Sequence, residues 1–184
     1  MKVTIENARL AFPDLFEAKA FEGGKPKFGA AFLMQPDNPA IEKLRAAEEA
    51  VAAEKWGAKA ATNLKEIRAN GREVVQDGDK KASYDGYAGM LFVNANSDIR
   101  PSVYDRDKTP LVATDGRPYA GCYVDAIVEV WAQDNKFGKR INAQLTGVRF
   151  RRDGDSFSAG ARPAEADDFA DLGIDDDEHD PLLD

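Results

Sequence analysis

Histidine and cysteine are almost missing from this chain: His179 and Cys122 are the only ones in 184 residues. One histidine, set in an acidic stretch, gives histidine-centred acid–base catalysis or a Cys/His zinc site nothing to build on. One cysteine excludes an intrachain disulfide and suits a reducing compartment. Cys122 falls within the hydrophobic alternation of a strand and reads as a small core residue. No stretch approaches the roughly 20 apolar residues that a membrane span needs. The start, Met1-Lys2-Val3-Thr4-Ile5, lacks a basic segment followed by an apolar run, so a soluble, unexported protein is expected. A phosphate-cradling loop is missing too, because Glu22-Gly23-Gly24-Lys25 lacks P-loop spacing and precedes a strand rather than a helix. Neither cofactor nor metal is expected.

What is present begins with charge. The net charge of −8 argues against a polyanionic ligand, but the average conceals a division. Residues 164–184 carry ten acids and no Lys or Arg, which leaves 23 of the 33 acids against all 25 basic residues in 1–163, a balance of +2. The repulsion belongs to the tail, and the body is mildly cationic. With 43% hydrophobic and 9% aromatic residues, the body can bury one substantial core. The expected division is a folded domain over 1–155 and a linker with a disordered acidic tail over 156–184.

Periodicity predicts a mainly β body. Strands are expected at 3–12 and 25–34, joined by a loop holding Pro13 and Gly23-Gly24. Asn38-Pro39 reads as a helix start, and Ile41, Leu44, Ala47 and Val51 mark one stripe of a helix ending near Trp56. A second helix is expected over 62–69, stopping at Asn70-Gly71. The polar stretch 71–85 reads as a mobile loop. Strand character resumes at Tyr87 and again at 100–105. Cys122, Val124, Ala126, Val128 and Val130 alternate strictly, the mark of a half-buried strand, with Asp134-Asn135 as the hairpin turn to a last strand over 136–150. Five or six strands with helices inserted near the middle suggest an OB-like Greek-key barrel, with a helix-covered open sheet as the rival.

Carboxylates offer one route to catalysis. Asp85, Asp98, Asp105, Asp107, Asp125 and Glu129 lie in the body, and Asp125 and Glu129 share a strand face, so a Mg²⁺-dependent nuclease is a reading to test. Each also has a solvated-surface explanation, which the overall acidic composition favours. The stronger pattern interleaves cations with rings. Arg100, Ser102, Tyr104 and Arg106 share one parity and, if extended, one face. Lys25 and Lys27 precede Phe28, Lys80 and Lys81 precede Tyr84 and Tyr87, and Lys136, Lys139 and Arg140 surround Phe137. Parity groups Phe28 and Phe137 with apolar neighbours. Unstacked bases offer flat faces to rings, worth about 1–3 kcal/mol each, while Lys and Arg follow the phosphates. Such clusters suit single-stranded nucleic acid.

The tail is too charged and too poor in rings to offset the entropy of ordering. It carries Ile174, Asp175, Asp176, Asp177, Glu178, Leu182 and Leu183, acids beside apolar residues, as a docking peptide for a basic partner would. As a tethered anion it would also compete with DNA.

The chain resembles a family of bacteriophage single-stranded DNA-binding proteins with an OB-type barrel. The likeness covers most of 1–153. It rests on Ala11-Phe12-Pro13-Asp14-Leu15-Phe16, Tyr87-Ala88-Gly89, Arg100-Pro101, Tyr119-Ala120-Gly121-Cys122-Tyr123-Val124, Gly138 in the hairpin, and Leu145-Thr146-Gly147-Val148-Arg149-Phe150 before Asp153-Gly154. The helices lie between the second and third strands, unlike the commonest OB order, and the last residue is Asp184 rather than an aromatic. The resemblance implies a non-enzymatic protein that coats single-stranded DNA in the cytoplasm of the bacterial host during phage replication, recombination or repair. It also implies a tail that recruits replication or recombination proteins; homodimerisation stays open. The alternatives are an acidic-tailed DNA mimic and the nuclease, which would depend on Asp105, Asp125 or Glu129.

Overall fold

The structure is a computed structural model, and it describes residues 1–157. The alternation at 122–130 is the inner face of a long strand, and four more strands complete the cylinder around it. In chain order the elements are β1 (Lys2–Lys19), β2 (Lys27–Met34), α1 (Ala40–Trp56), α2 (Ala60–Ala69), β3 (Gln76–Asp77), β4 (Leu91–Ser97), β5 (Ser102–Tyr104), β6 (Tyr123–Asn135) and β7 (Gly138–Arg152). Antiparallel pairing runs β4-β2-β1-β6-β7, and a parallel contact at Asn96 and Gln144 returns β7 to β4. That contact closes a five-strand barrel with the Greek-key order of an OB fold. β3 extends β4, and β5 lies parallel to β7 from Ser102 to Tyr104, on the same edge that β4 uses further back.

Inward positions are apolar on every barrel strand: Ile5 and Leu10, Phe32 and Met34, Val93, Val124 to Val130 on alternate residues, and Leu145 are all buried. Each such side chain contributes about 1.5–3 kcal/mol on leaving water. Cys122 is among them, and burial pushes its thiol up to about 11. The helices sit between the second and third barrel strands, as expected. Asn38 Oδ1 accepts from the Ala40 N–H at 2.9 Å, so this side chain satisfies one of the free donors at the start of α1. Ile41, Leu44, Ala47 and Val51 then cover the barrel on its β1 and β6 side.

Several boundaries differ from the sequence reading, each for a local reason. β1 does not end at Phe12 but continues past Pro13 to Lys19. A register shift between Ala11 and Asp14, with Phe12 at φ 47°, absorbs the proline as a bulge. The stretch 71–85 is held rather than loose. Glu48, 1% exposed on α1, accepts from the Val74 and Val75 N–H groups at 2.8 and 3.2 Å and from Arg68 at 3.1 Å. β3 and a 3-10 turn over Gly78–Lys81 follow directly. The strand expected at Tyr87 starts at Leu91. In the last hairpin Asn135 pairs with Gly138, so the turn is Lys136-Phe137, and Asp134-Asn135 belong to β6. Packing also continues past residue 155: Phe157 donates its N–H to Ala120 at 3.0 Å and lies under the Arg9 guanidinium, 4.2 Å from it. The residues read as an acidic docking tail, Ile174 to Leu183, lie outside the described residues.

Candidate nucleic-acid interface

Outward positions carry the site. On β4 these are Phe92, Asn94 and Asn96. On β7 they are Arg140, Asn142 and Gln144, paired across the hairpin or the closing contact with Gln133, Trp131 and Asn96. All of these but Gln144, together with Lys27 of β2 and the segment 71–76, line an open groove of about 510 Å³. Its floor is amides, its far side is the hairpin, and its near wall is the segment that Glu48 fixes from behind. The backbone of that wall is also tied to β7, because the Ile141 N–H donates to the Arg72 carbonyl at 3.1 Å.

The charge in the groove is positive. Lys27, Lys81 and Arg140 line it against one carboxylate, Glu73. Lys81 Nζ lies 5.2 Å from the centre of the Phe92 ring, which places the ammonium over the floor. Asn94 and Asn96 are exposed, and Asn142 donates to Gln133 at 2.9 Å, which orients both amides. Trp131, 45% exposed, is the ring in this groove with a free face. An indole, three cations and a row of amides can stack a base, hold phosphates and hydrogen-bond base edges without demanding a sequence.

The structure distributes the sequence candidates over several places. Lys27, Lys81 and Arg140 share this groove. Lys80 is exposed beside Lys81 on the 3-10 turn, and Lys136 and Lys139 are on the hairpin, with Lys136 Nζ 5.1 Å from the Phe137 ring. Lys25 pairs with Asp98 at 3.1 Å. Parity grouped Phe137 with apolar neighbours, but as a turn residue it is 73% exposed. Phe28 is half-buried on β2. Tyr84 is exposed and meets Phe12 edge-on at 5.3 Å, on a separate aromatic patch.

Tyr87 is a correction. It is 2% exposed, with its ring 5.0 Å from Phe92, and packs with Ala11, Ala31 and Leu33. Burial, followed by the neighbouring Tyr84, pushes its hydroxyl up to about 12. It locks the 78–90 segment to the outside of the barrel and presents no face for stacking. The shared face of Arg100, Tyr104 and Arg106 is a second correction, because only Ser102–Tyr104 is extended. Arg100 lies over Phe16, Arg106 sits in the following turn over Phe150, and Tyr104 lines a different groove.

The three carboxylates on which the nuclease reading depends are each engaged by a cation. Asp125 accepts from Arg149 at 2.6 Å and Arg151 at 2.9 Å, Asp105 from Arg117 at 2.5 Å, and Glu129 faces the N-terminal amine at 3.3 Å. Among the described residues no three His, Cys, Asp or Glu side chains converge to hold a metal ion.

Sequence reasoning missed Trp131, Asn94, Asn96, Asn142 and Arg72. A signal existed for the first. Trp131 occupies the outward parity of a strand whose inward positions are all apolar, so a large ring there required an explanation.

Fold and groove together define an OB-type barrel with a cationic, ring-bearing cleft. Comparison with known proteins then names the family: residues 1–181 match that of the Enterobacter phage Enc34 ssDNA-binding protein, and the chain belongs to it. A relative from Acyrthosiphon pisum secondary endosymbiont phage 1, described as putative protein p50, is 44% identical over 178 residues, 95% of each chain. Among solved structures, the single-stranded DNA-binding protein of bacteriophage Enc34 in complex with ssDNA superposes with a TM-score of 0.70 at 27% identity, over 85% of this chain and 89% of that one. The single-stranded DNA-binding protein gp2.5 of bacteriophage T7 shares the fold, with a TM-score of 0.55 at 12% identity over 91% of each chain.

Proposed function

We propose that this protein binds and protects single-stranded DNA, with little sequence preference, in the groove between the β6–β7 hairpin and the 71–76 wall. The observation that carries the reading is the composition of that groove: Lys27, Lys81 and Arg140 around an amide floor, with the exposed Trp131 at its side. Membership of the family, and the DNA-bound Enc34 protein on the same fold, support the ligand. In this reading the three cations track phosphates, Trp131 stacks a base, and Asn94, Asn96 and Asn142 meet base or sugar edges. Lys25, Lys80, Lys136, Lys139 and Arg72 supply the positive rim. The DNA-binding domain spans residues 1–155 and is extended by the packed Phe157, and the linker and acidic tail make up the rest of 156–184.

The protein itself performs no chemistry on the strand; it serves phage replication, recombination or repair inside the host. The tail, with Asp175 to Glu178 beside Leu182 and Leu183, competes with DNA for the cationic groove. When DNA displaces it, it is free to recruit a partner.

A salt-dependent titration of fluorescent oligo-dT against the full chain and a form truncated after Pro163 tests this. Tight binding that weakens steeply with salt, and is stronger for the truncated form, is expected. Negligible binding by both forms would refute it and favour the DNA mimic.

A further inference from the structure

The barrel carries a second groove, larger at about 660 Å³, on the outer face of β1, β5, β6 and β7. It shares no lining residue with the first groove. We propose that it is a second subsite for the same strand of DNA, so that the strand runs from the first groove along the outside of β7 into this one. The inference rests on the proposed function.

Three observations carry it. The first is continuity. The edge of β7 is shared by two strands in succession, β4 at Gln144 and β5 at Gly147 to Arg149, so the grooves beside them lie end to end. From Arg140 to Arg149 the strand covers about 30 Å. A bulge keeps both stretches facing outward. Ile127 pairs with Gly147 and Val128 with Leu145, so Thr146 is the extra residue. Its hydroxyl donates to the Ile127 carbonyl at 3.0 Å, and the outward parity changes from Arg140, Asn142 and Gln144 to Gly147 and Arg149. Without that shift Arg149 would point into the barrel.

The second observation is charge. Lys2, Lys108 and Arg149 line the groove against Asp125 alone. Asp125 is already consumed: its oxygens accept from Arg149 Nε and Nη2, Arg151 Nη1 and the Asn7 N–H. Asp125 therefore orients Arg149 and leaves Nη1 uncommitted, and the groove presents a net positive surface to a phosphodiester chain. The third is the ring. Tyr104, 38% exposed, lines the groove opposite Arg149 on β7, and Gly147 and Ile127 line the same groove, a wall against which a base can lie.

The experiment compares short oligo-dT, about 5 nucleotides, with a longer one of about 15, spanning the range of OB site sizes. Both are titrated against the full chain and against Tyr104→Ala and Lys108→Gln. Both positions are exposed. The expected result is that each variant loses about 10-fold in affinity for the long strand and keeps its affinity for the short one. Lys108→Gln should also flatten the salt dependence for the long strand. Unchanged affinity for the long strand overturns the second subsite and leaves the first groove standing. An equal loss on both lengths also overturns it, because Tyr104 would then act within the primary site. If instead Trp131→Ala and Arg140→Glu leave the short strand bound as before, the failure lies in the proposed function.

Discussion

Replacing Glu48 by alanine removes the support behind the groove wall, and the structure sets the size of the effect. The carboxylate is 1% exposed and accepts three hydrogen bonds, from the N–H groups of Val74 and Val75 and from Arg68. Alanine leaves two buried backbone donors without acceptors, at about 1–3 kcal/mol each. The Arg68 guanidinium is 38% exposed and can turn to water, so its share is below about 1 kcal/mol. The total is about 2–7 kcal/mol, centred near about 4 kcal/mol. With a urea m-value of about 2 kcal/mol/M, the unfolding midpoint should fall by about 2 M. Glu48→Gln keeps one carbonyl oxygen in place and should cost less than half as much. Urea titration followed by tryptophan fluorescence reads the difference, because Trp131 lines the groove and Trp56 donates to Asp134 of the hairpin at 2.8 Å. At low denaturant, where Glu48→Ala is still folded, oligo-dT should bind more weakly because residues 71–76 no longer hold their position. A Glu48→Ala midpoint within about 0.3 M of the parent would refute the claim that this carboxylate organises the wall.

Three further outcomes follow from the same geometry. Trp131→Ala should weaken oligo-dT binding by about 1–3 kcal/mol, measured by anisotropy, with little change in thermal midpoint, since half the ring is already in water. Asp125 tests the pH dependence. Burial pushes its carboxyl up, but hydrogen bonds from Arg149, the Asn7 N–H and Arg151 outweigh this and hold it below its ordinary 3.8. A carboxyl lowered in the folded state contributes stability that is present above the unfolded value of about 4 and is lost as pH falls through the folded one. Asp125→Asn should therefore be destabilised by about 2 kcal/mol at pH 7, with the gap to the parent closing below about pH 4; a gap constant with pH contradicts the assignment. Cys122, raised to about 11 in the core, should resist thiol reagents at pH 8 until denaturant is added.

Much of the barrel was legible because period-2 alternation survives in strands with one dry face. Cys122 to Val130 and Phe28 to Met34 both read correctly as inward rows. What failed depended on contacts remote in sequence. Nothing local in 71–85 announces that Glu48, on a helix some 25 residues earlier, will bind its backbone. Tyr87 reads as an exposed strand-start tyrosine until the outer faces of β1, β2 and β4 are brought beneath it. Parity also misleads wherever register shifts. The bulge at Thr146 reverses inside and outside within β7, and extended geometry stops at Tyr104, so Arg106 cannot share its face. The cations of the groove were visible as Lys27, Lys81 and Arg140, but their grouping was not, because β2, the 3-10 turn and β7 meet only when β7 closes on β4.

The proposed seat of the DNA strand is the groove of Lys27, Lys81, Arg140 and Trp131. The most direct measurement is the affinity of the full chain for oligo-dT across a salt series, beside a Lys27→Glu/Arg140→Glu double variant whose fold is verified by its thermal midpoint. Both side chains are exposed, so the fold should survive. Affinity should fall by at least about 100-fold and the salt slope by about 1.4, the loss of two phosphate contacts at about 0.7 each for single strands. Unchanged affinity and slope in a folded double variant would contradict it, and the strand would have to be sought on another face of the barrel.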